Sequence, residues 1–286
     1  MFSILIPTWN NLEYLRLCVR SIREHSAHAH QIIVHVNDGS DGSREWVMRE
    51  QLDATFSATN VGICWAVNEA AQLADHDLIV CMNDDMYCLP GWDTALLARA
   101  AAMPRELFML SGTTVVWRDN GQPGVVAADH GDSVEAFREA ELLQAAPGLM
   151  RPDWYGATTA PTVVHRKWWF NSGGYSTELA PGMGSDIDLS MKMWQAGCRH
   201  FVGVGESLIY HFPGTSTGKV VKNDGRRQFL DKWGMTTSTF DRLYLRRGQP
   251  AAALQLPEPE DSGPLRRALW RDRLRRRFGS PGPTAR

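Results

Sequence analysis

The sequence predicts an α/β fold with a mostly parallel central sheet and helices on both faces. Apolar, strand-like runs alternate with helix-like periodicity through the first hundred residues, and a polar cluster follows the apolar runs. Alternation of this kind is typical of parallel sheets, in which a crossover helix joins neighbouring strands. A chain of 286 residues with 43% hydrophobic content is also long enough for one large α/β domain or two small ones.

The first half shows this alternation most clearly. Apolar runs predict four strands, at Phe2–Pro7, Gln31–Val36, Ala54–Thr59 and Leu78–Met82. Helical spacing predicts the helices that follow them, at Asn10–His25, Ser43–Gln51, Ile63–Leu73 and Trp92–Ala102. The loops after the strands should then face a ligand crevice, because ligands bind at the carboxyl edge of such sheets.

The second half is less regular. It predicts strands at Leu107–Trp117, Thr159–His165, Phe201–Val204 and Leu208–Tyr210. It predicts helices at Asp132–Ala145, Lys167–Asn171, Asp186–Gln195 and Asn223–Trp233. We therefore expect a nucleotide-binding half over about 1–103 and a smaller acceptor half over about 104–247. Residues 248–264, which are rich in Pro, Ala, Glu and Gln, read as a linker that isolates a basic tail, 265–286.

Composition excludes several classes of protein. Residues 263–286 contain eight Arg and one Asp and so carry +7, which leaves −9 on the remainder of a chain of net charge −2. Such an acidic body is a poor partner for nucleic acid. The five cysteines show no paired spacing, and Cys18 and Cys81 lie in apolar patterns, which suits a reducing cytoplasm. The beginning of the sequence does not read as a signal peptide, and no run of about 18 apolar residues occurs.

The basic tail has two readings. It predicts either a helix on an anionic membrane, such as the inner membrane face, or a solvated or packed segment. The apolar residues do not form one stripe, because Leu265 and Leu269 fall on one side of a helical wheel and Trp270, Leu274 and Phe278 fall on another.

The triplet Asn83-Asp84-Asp85 is the strongest indication of chemistry. It follows the apolar run that ends at Met82, and carboxylates at the end of a buried strand can hold a divalent cation that neutralises a diphosphate. The alternative is an ordinary polar turn with Asp capping the next helix. The other polar clusters along the chain favour the first interpretation.

An ordered set of motifs resembles the family 2 glycosyltransferases of the GT-A fold, over roughly residues 2–215. The set contains seven short sequences: Ile6-Pro7-Thr8-Trp9-Asn10, Asn37-Asp38-Gly39-Ser40-Asp41-Gly42-Ser43, Asn60-Val61-Gly62 with the later Asn68, Asn83-Asp84-Asp85, Gly173-Gly174-Tyr175, Asp186-Ile187-Asp188-Leu189 and Tyr210-His211. Each motif alone is weak, whereas the ordered set is specific.

The resemblance implies a nucleotide pocket. Asp38 would recognise the base by accepting a hydrogen bond from a ring N–H of uracil or thymine, although a turn-forming Asp before Gly39 is also common. Thr8 would line the same pocket, and Asp84 would contact the ribose or the waters of the cation. The other residues implied for nucleotide binding are Pro7, Asn10, Asn60, Gly62 and Asn68.

The resemblance also implies a metal site and a general base. Asp85 and His211 would be ligands of Mn²⁺ or Mg²⁺, whereas a lone His is otherwise more often structural. Asp186 would be the base and Asp188 its support, since positions i and i+2 of a helix do not share a face. Ser185 stands where the family usually has Glu. We expect Lys219, in a loop after His211, to meet the diphosphate.

An aromatic cluster could stack against an acceptor sugar. It contains Trp154, Tyr155, Trp168 and Trp169, with core packing as the alternative, which suits Trp169 better than Trp154. The predicted activity is an inverting, metal-dependent transfer of a sugar from a UDP- or dTDP-sugar to a glycan, lipid-linked or protein acceptor. The alternatives are a nucleotidyltransferase, which normally needs a glycine-rich basic loop where this chain has Pro7–Asn11, and a non-catalytic sugar-binding module.

Overall fold

A computed structural model describes residues 1–212 and 220–278. Its strands are β1 (Phe2–Trp9), β2 (Gln31–Asn37), β3 (Asp53–Ser57), β4 (Leu78–Cys81), β5 (Met86–Cys88), β6 (Met109–Val116), β7 (Val125–Ala127), β8 (Trp154–Tyr155), β9 (Thr162–His165) and β10 (Phe201–His211). They form one sheet in the order β3-β2-β1-β4-β9-β6-β10-β5, with β7 beside β6 and β8 beside β10.

Helices surround this sheet. They are α1 (Leu12–His25), α2 (Ser43–Arg49), α3 (Gly62–Ala71), α4 (Trp92–Ala101), α5 (Glu139–Leu149), α6 (Arg166–Ser172), α7 (Ser185–Gln195), α8 (Gly225–Trp233), α9 (Thr237–Thr239) and α10 (Gly263–Phe278). A short 3₁₀ turn covers Thr177–Leu179, and a π-helical turn covers Phe240–Tyr244. The predicted α/β architecture with a mostly parallel sheet is confirmed.

Strands β1 to β4 run in the same direction. Trp9 lies opposite Asn37, and Asn37 lies opposite Ser57, so β1, β2 and β3 end at the same edge of the sheet. Alternate residues of β1 point to opposite faces, because successive side chains of a strand do so. Ile4 and Ile6 pack in one apolar cluster, and Leu5 packs in the cluster on the other face.

The second half departs from simple alternation. Strand β9 runs antiparallel to both β4 and β6, between which it lies. The two strands predicted at 201–204 and 208–210 form the single strand β10, in which the register with β6 shifts between Val204 and Leu208. The helix predicted from Asp132 begins at Glu139.

The segment predicted as a linker, 248–264, packs on the domain. Leu256 is fully buried in an apolar cluster, and its N–H donates to the carbonyl of Arg199 at 2.7 Å. The N–H of Ala251 donates to the carbonyl of Asp153 at 2.9 Å. The expectation that this segment isolates the tail is therefore wrong, because apolar residues and backbone pairing anchor it.

The described part of the tail is the helix α10, which also packs on the domain. Its Leu265, Ala268 and Asp272 are buried. The Asp272 carboxylate accepts hydrogen bonds from the N–H of Thr236 at 2.9 Å and from its hydroxyl at 3.2 Å. The last eight residues, 279–286, lie outside the described part of the chain.

All five cysteines are buried free thiols, as the apolar patterns around Cys18 and Cys81 predict. Burial raises the pKa of Cys64 to about 12. Within residues 1–212 and 220–278, no helix is both long enough and apolar enough to cross a membrane.

Candidate active site

A cavity of about 310 Å³ opens at the carboxyl edge of β1, β2 and β4. It brings together eight of the residues that the sequence predicts for the site: Pro7, Thr8, Asn60, Gly62, Asp84, Asp85, Asp186 and His211. These residues come from five separate stretches of the chain, so their meeting depends on the sheet order rather than on local sequence.

Asp85 and His211 meet because β5 pairs with β10. His211 lies opposite Met86 in this antiparallel pair, and the N–H of Phe212 donates to the carbonyl of Asp85 at 3.0 Å. The Nε2 atom of His211 lies 3.0 Å from Oδ1 of Asp85. Burial lowers the pKa of His211, but the Asp85 carboxylate outweighs burial, so that the pKa is raised above its usual value.

Asp84 faces the first strand of the sheet. The hydroxyl of Thr8 donates to Oδ2 of Asp84 at 2.7 Å, and both side chains are buried. Burial and the neighbouring carboxylate of Asp85 raise the pKa of Asp84 to about 7. Two adjacent buried carboxylates repel each other, and a cation between or beside them would relieve this repulsion.

The donor set fits a divalent cation that takes its remaining ligands from a diphosphate and water. Asp85 supplies a carboxylate, and His211 supplies an imidazole nitrogen, a combination that suits Mn²⁺. Within the described residues, neither Asp84 nor Asp85 forms an ion pair with Lys or Arg. The same described residues contain no group of three or more His, Cys, Asp or Glu side chains arranged to hold a metal ion.

Asp186 lies at the start of α7 and lines the cavity. The hydroxyl of Tyr175 donates to its Oδ1 at 2.6 Å. Burial raises the pKa of Asp186, and the bond from Tyr175 opposes part of that rise. A carboxylate held in this way can accept a proton from a hydroxyl group in the cavity.

Asp188 points away from the cavity and into the domain. Its side chain is fully buried and accepts hydrogen bonds from Ser176 at 2.5 Å and from Trp233 at 2.8 Å. The ammonium group of Lys232 lies 3.0 Å from its Oδ1. These contacts tie α7 to α8, which agrees with a supporting role rather than a role as the base.

The loop after β2 begins next to Asn37, which lines the cavity. Asp38 is exposed and has a positive φ of 63°. Its Oδ2 accepts a hydrogen bond from Nδ2 of Asn10 at 3.0 Å, and Oδ1 of Asn10 accepts one from the N–H of Gly39 at 3.1 Å. Neither Asn10 nor Asp38 is among the described residues that line the cavity, so recognition of the base by Asp38 stays a prediction.

The start of α3 forms another wall. Oδ1 of Asn60 accepts a hydrogen bond from the N–H of Gly62 at 2.9 Å. Gly62 has a φ of 79°, and a Cβ atom there would lie 2.7 Å from Cα of Pro181. Glycine at this position therefore lets the loop at 180–184 pack closely against the helix.

Asn68 does not contact the cavity in the described structure. Its Nδ2 donates to the carbonyl of Tyr175 at 2.8 Å, and its Oδ1 accepts a hydrogen bond from the N–H of Tyr175 at 2.9 Å. Both ends of its amide are therefore used by backbone groups. This corrects the nucleotide-binding role expected from the sequence, because Asn68 fixes the position of Tyr175 instead.

Trp154 and Tyr155 are also placed differently from the expectation. Both are buried; Nε1 of Trp154 donates to the hydroxyl of Thr113, and the hydroxyl of Tyr155 accepts from the N–H of Ala253. They belong to the core and offer no ring face to an acceptor. Lys219, expected at the diphosphate, lies outside the described residues.

Sequence reasoning left several residues that line the cavity out of the site, among them Asn37, Pro181 and Gly182. Asn37 lines it, and its Oδ1 accepts a hydrogen bond from the N–H of Val61 at 2.9 Å. Pro181 and Gly182 line it from the opposite side. Asn37 begins a quoted motif and could have been found; the loop at 180–184 carries no comparable signal.

Comparison with solved structures defines the class of this fold. A TarS fragment from S. aureus in complex with UDP-GlcNAc matches with a TM-score of 0.56 and 12% identity, over 85% of this chain and 67% of that chain. GalNAc-T7 with UDP, GalNAc and Mn²⁺ matches with a TM-score of 0.60 and 13% identity, over 85% of this chain and 50% of that chain. Identities this low show the fold alone, which is the GT-A fold.

A sequence comparison supports the same resemblance over part of the chain. The family model for glycosyl transferase family 2 matches residues 3–123. This match, with the fold, confirms the resemblance that the motifs indicate.

Two curated relatives align with most of this chain. Uncharacterized protein y4gI from Sinorhizobium fredii (strain NBRC 101917 / NGR234) is 25% identical over 251 residues, which are 80% of this chain and 26% of that protein. Uncharacterized protein MT1568 from Mycobacterium tuberculosis (strain CDC 1551 / Oshkosh) is 24% identical over 255 residues, which are 83% of this chain and 75% of that protein. This chain therefore spans about a quarter of the first relative and three quarters of the second.

Proposed function

We propose that this chain is an inverting, divalent-metal-dependent glycosyltransferase that moves a sugar from a nucleoside diphosphate sugar to an acceptor hydroxyl, in glycan or polysaccharide assembly. One observation carries the proposal. The pair Asp85–His211 and the carboxylate of Asp186 line the same cavity of about 310 Å³ at the carboxyl edge of the sheet.

Asp186 is the group that removes the proton. Its carboxylate accepts the proton of the acceptor hydroxyl while the acceptor oxygen forms a bond to the anomeric carbon. The bond from that carbon to the diphosphate oxygen breaks, and the nucleoside diphosphate leaves with the bonding electron pair. Because attack and departure take place on opposite faces of one carbon, a single displacement inverts the anomeric configuration.

Asp85 and His211 would hold the divalent cation, which would stabilise the negative charge of the leaving diphosphate. Asp84 is held by Thr8 beside them and would contact the ribose or water bound to the ion. Tyr175 orients the carboxylate of Asp186 through its 2.6 Å hydrogen bond. The chain's own side chains thus position both the leaving group and the base.

A uridine or thymidine diphosphate sugar is the proposed donor. Asp38, beside Asn10, can accept the ring N–H that uracil and thymine share. Support for uridine comes from solved structures of similar fold, in which TarS is in complex with UDP and GalNAc-T7 is seen with UDP, GalNAc and Mn²⁺.

The acceptor and the location belong to the same proposal. The acceptor is a glycan, a lipid-linked saccharide or a protein hydroxyl. The location is the cytoplasm, with peripheral contact at the inner membrane face through the basic tail. The support for that contact is the seven Arg residues of α10, against one Asp.

The decisive experiment incubates the purified chain with UDP-, dTDP-, GDP- and CDP-sugars, with Mn²⁺, with Mg²⁺ or with a chelator. The release of nucleoside diphosphate and the anomeric configuration of any product are measured. A divalent-ion-dependent release of UDP or dTDP, with an inverted product, supports the proposal. Retention of configuration, or equal rates in the chelator, would contradict it.

The same assay separates the alternatives. A nucleotidyltransferase would release pyrophosphate from a nucleoside triphosphate and a sugar phosphate. A non-catalytic module would show a thermal shift with a nucleotide sugar but no release of diphosphate, because a ligand that binds the native state raises its apparent stability.

A further inference from the structure

The helix α10 has two different faces. Leu265, Ala268 and Asp272 recur at spacings of three and four residues, so they form one face, and this face is buried against the domain. On the same side of the helix, the guanidinium of Arg276 donates to the carbonyl of Asp231 in α8. These contacts fix which side of the helix faces outward.

The outward side carries an apolar ridge. Trp270, Leu274 and Phe278 recur every four residues, and Trp270 and Phe278 are 61% and 72% exposed. Of the two apolar sides that the helical wheel shows, one therefore packs on the domain and the other is exposed to solvent. Large exposed aromatic residues next to one another mark a surface that binds a protein, a ligand or a membrane.

Arginine rows flank this ridge on both sides. Arg267, Arg271 and Arg275 form one row, four residues apart, and Arg273 and Arg277 belong to the other. Like charges four residues apart destabilise a helix, so the rows do not serve the stability of the helix. An apolar ridge between basic rows is the pattern of a helix that lies in the plane of an anionic membrane surface.

The first row also forms one wall of a groove. A cavity of about 310 Å³ lies between α10 and the segment from Thr236 to Leu243, and Arg242 lines its other wall. The hydroxyl-bearing residue Ser238 lines it as well. Among the described residues, none of the four guanidinium groups of Arg242, Arg267, Arg271 and Arg275 forms an ion pair.

Among the described residues that line this groove, Asp272 carries the carboxylate, and that carboxylate is already engaged. Asp272 is 2% exposed and accepts the hydrogen bonds of Thr236 described above. The groove thus gathers four guanidinium groups that have no acidic partner among the described residues, and Nε of Arg271 donates to the carbonyl of Arg267 at 3.3 Å.

We propose that this groove binds the phosphate group of an anionic lipid, while Trp270, Leu274 and Phe278 enter the headgroup region of the bilayer. The proposal deepens the membrane contact in the proposed function and rests on it. Guanidinium groups bind phosphate oxygens in pairs, and the exposed ridge favours a bilayer over nucleic acid, which offers no apolar interior. The acidic remainder of the chain would face away from the surface.

The test is co-sedimentation of the full chain with vesicles of phosphatidylcholine containing phosphatidylglycerol, and with vesicles of phosphatidylcholine alone. The groove variant is R242Q/R271Q, and the matched control is R273Q/R277Q, which removes the same charge from the other flank. Two charges near the surface account for about a thirtyfold loss of binding. We expect this loss for the control and at least a further tenfold loss for the groove variant.

Equal losses for the two variants would overturn the groove as a site and leave only diffuse attraction. Binding to phosphatidylcholine alone, or equally strong binding to RNA, would overturn the assignment to an anionic lipid. The assignment to a lipid would also be overturned if no vesicle binding is seen, while inorganic phosphate raises the thermal transition temperature of the parent chain but not that of R242Q/R271Q. A third variant, W270A/F278A, should lose the binding that survives at high salt.

Two controls keep these outcomes interpretable. All the substituted side chains are exposed, so thermal unfolding of each variant should match that of the parent. Release of nucleoside diphosphate from a water-soluble donor is measured on the same samples. If vesicle binding fails while this release persists, the lipid site alone is disproved; if both fail, the proposed function is in doubt as well.

Discussion

The two halves of the domain build their shares of the site in different ways. In residues 1–103, consecutive strand and helix units bring polar loops to one edge, so Thr8 and Asp84 meet through neighbouring parallel strands. In residues 104–247, the contributions depend on contacts between distant segments: His211 reaches Asp85 across 126 residues. The contact between Thr8 and Asp84 can thus arise from local order, whereas the proposed base, Asp186, and the proposed second metal ligand, His211, reach the cavity only in the complete tertiary structure.

The C-terminal segment contributes to both halves. Leu256 joins the apolar cluster that contains Leu5 and Phe201, and Leu254 packs against the cluster that contains Ile4 and Val202. The domain is therefore completed by a segment that sequence composition separates from it. The first half also depends on the second, because β4 pairs with β9 and β5 pairs with β10.

The largest expected effect is on folding. Removal of residues 249–286 should destabilise the chain by more than the about 3 kcal/mol expected for Leu256→Ala alone, because it also removes the backbone partners of Asp153 and Arg199. Removal of 263–286 only should cost about 1–3 kcal/mol, since the N–H of Thr236 loses Asp272. Urea unfolding measures both losses of stability. If the chain without residues 249–286 is as stable as the parent, the packing of this segment contributes nothing to stability.

Substitution of Asp85 tests the point where the halves meet. Asp85→Ala should abolish metal-dependent binding of the donor, because one of the two proposed protein ligands disappears and His211 loses its partner. Calorimetry with UDP and Mn²⁺ measures this. Asp38→Ala is the comparison within the donor half: it should weaken binding by about tenfold, the loss of one charged hydrogen bond, and leave the metal requirement intact.

Asp186→Asn should leave donor affinity nearly unchanged and lower turnover by roughly a hundredfold, which is the usual scale for loss of a general base. The matched change Asp188→Asn should act on stability instead, because Lys232 and Trp233 rely on that carboxylate. If Asp188→Asn abolishes turnover in a protein of normal stability and Asp186→Asn does not, the two roles are exchanged.

The part of the fold and of the site that can be predicted from the sequence also differs between local and distant contacts. The strands up to Cys81 show in local periodicity, so these elements are correctly predicted, whereas the roles of the site residues stay predictions. The contacts of Asn68 and Trp154 go to distant partners, the backbone of Tyr175 and the hydroxyl of Thr113. No local pattern encodes such a partner, and this is why the sequence does not predict these contacts.

The anchoring of residues 249–256 to the domain escaped prediction for a related reason. The segment is rich in Pro, Ala and Gln, which favour a linker, and its two leucines, Leu254 and Leu256, are too small a signal by themselves. For α10 the sequence does show two apolar sides, but only the packing of Leu265 and Ala268 identifies which side faces the domain.

Tyr175 offers a finer test of the acceptor half. Tyr175→Phe removes the 2.6 Å hydrogen bond to Asp186, and because this bond lowers the pKa of Asp186 against the effect of burial, its loss should raise that pKa further. The acid limb of the turnover profile should move to higher pH, with a loss of about tenfold at the acid end. Tyr155→Phe, another buried tyrosine far from the cavity, should leave the profile unchanged. A uniform loss of turnover at every pH would instead indicate a structural effect.

The smallest expected effect belongs to the donor half and concerns His35, which is buried in β2 between the hydroxyls of Thr55 and Ser57. Burial lowers its pKa from 6.5 to about 4. Because the native state holds this histidine neutral while the unfolded state takes up a proton below pH 6.5, its contribution to stability is complete above pH 6.5 and is lost as the pH falls toward 4. Between pH 7.5 and pH 6 the loss is about 1 kcal/mol.

His35→Gln should remove this part of the pH dependence, whatever its constant effect on packing. The measurement is the difference in unfolding free energy between the two pH values, compared for parent and variant. Identical differences for the two proteins would show that the pKa of His35 is the same in the native and unfolded states. This histidine would then contribute nothing to the loss of stability in mild acid.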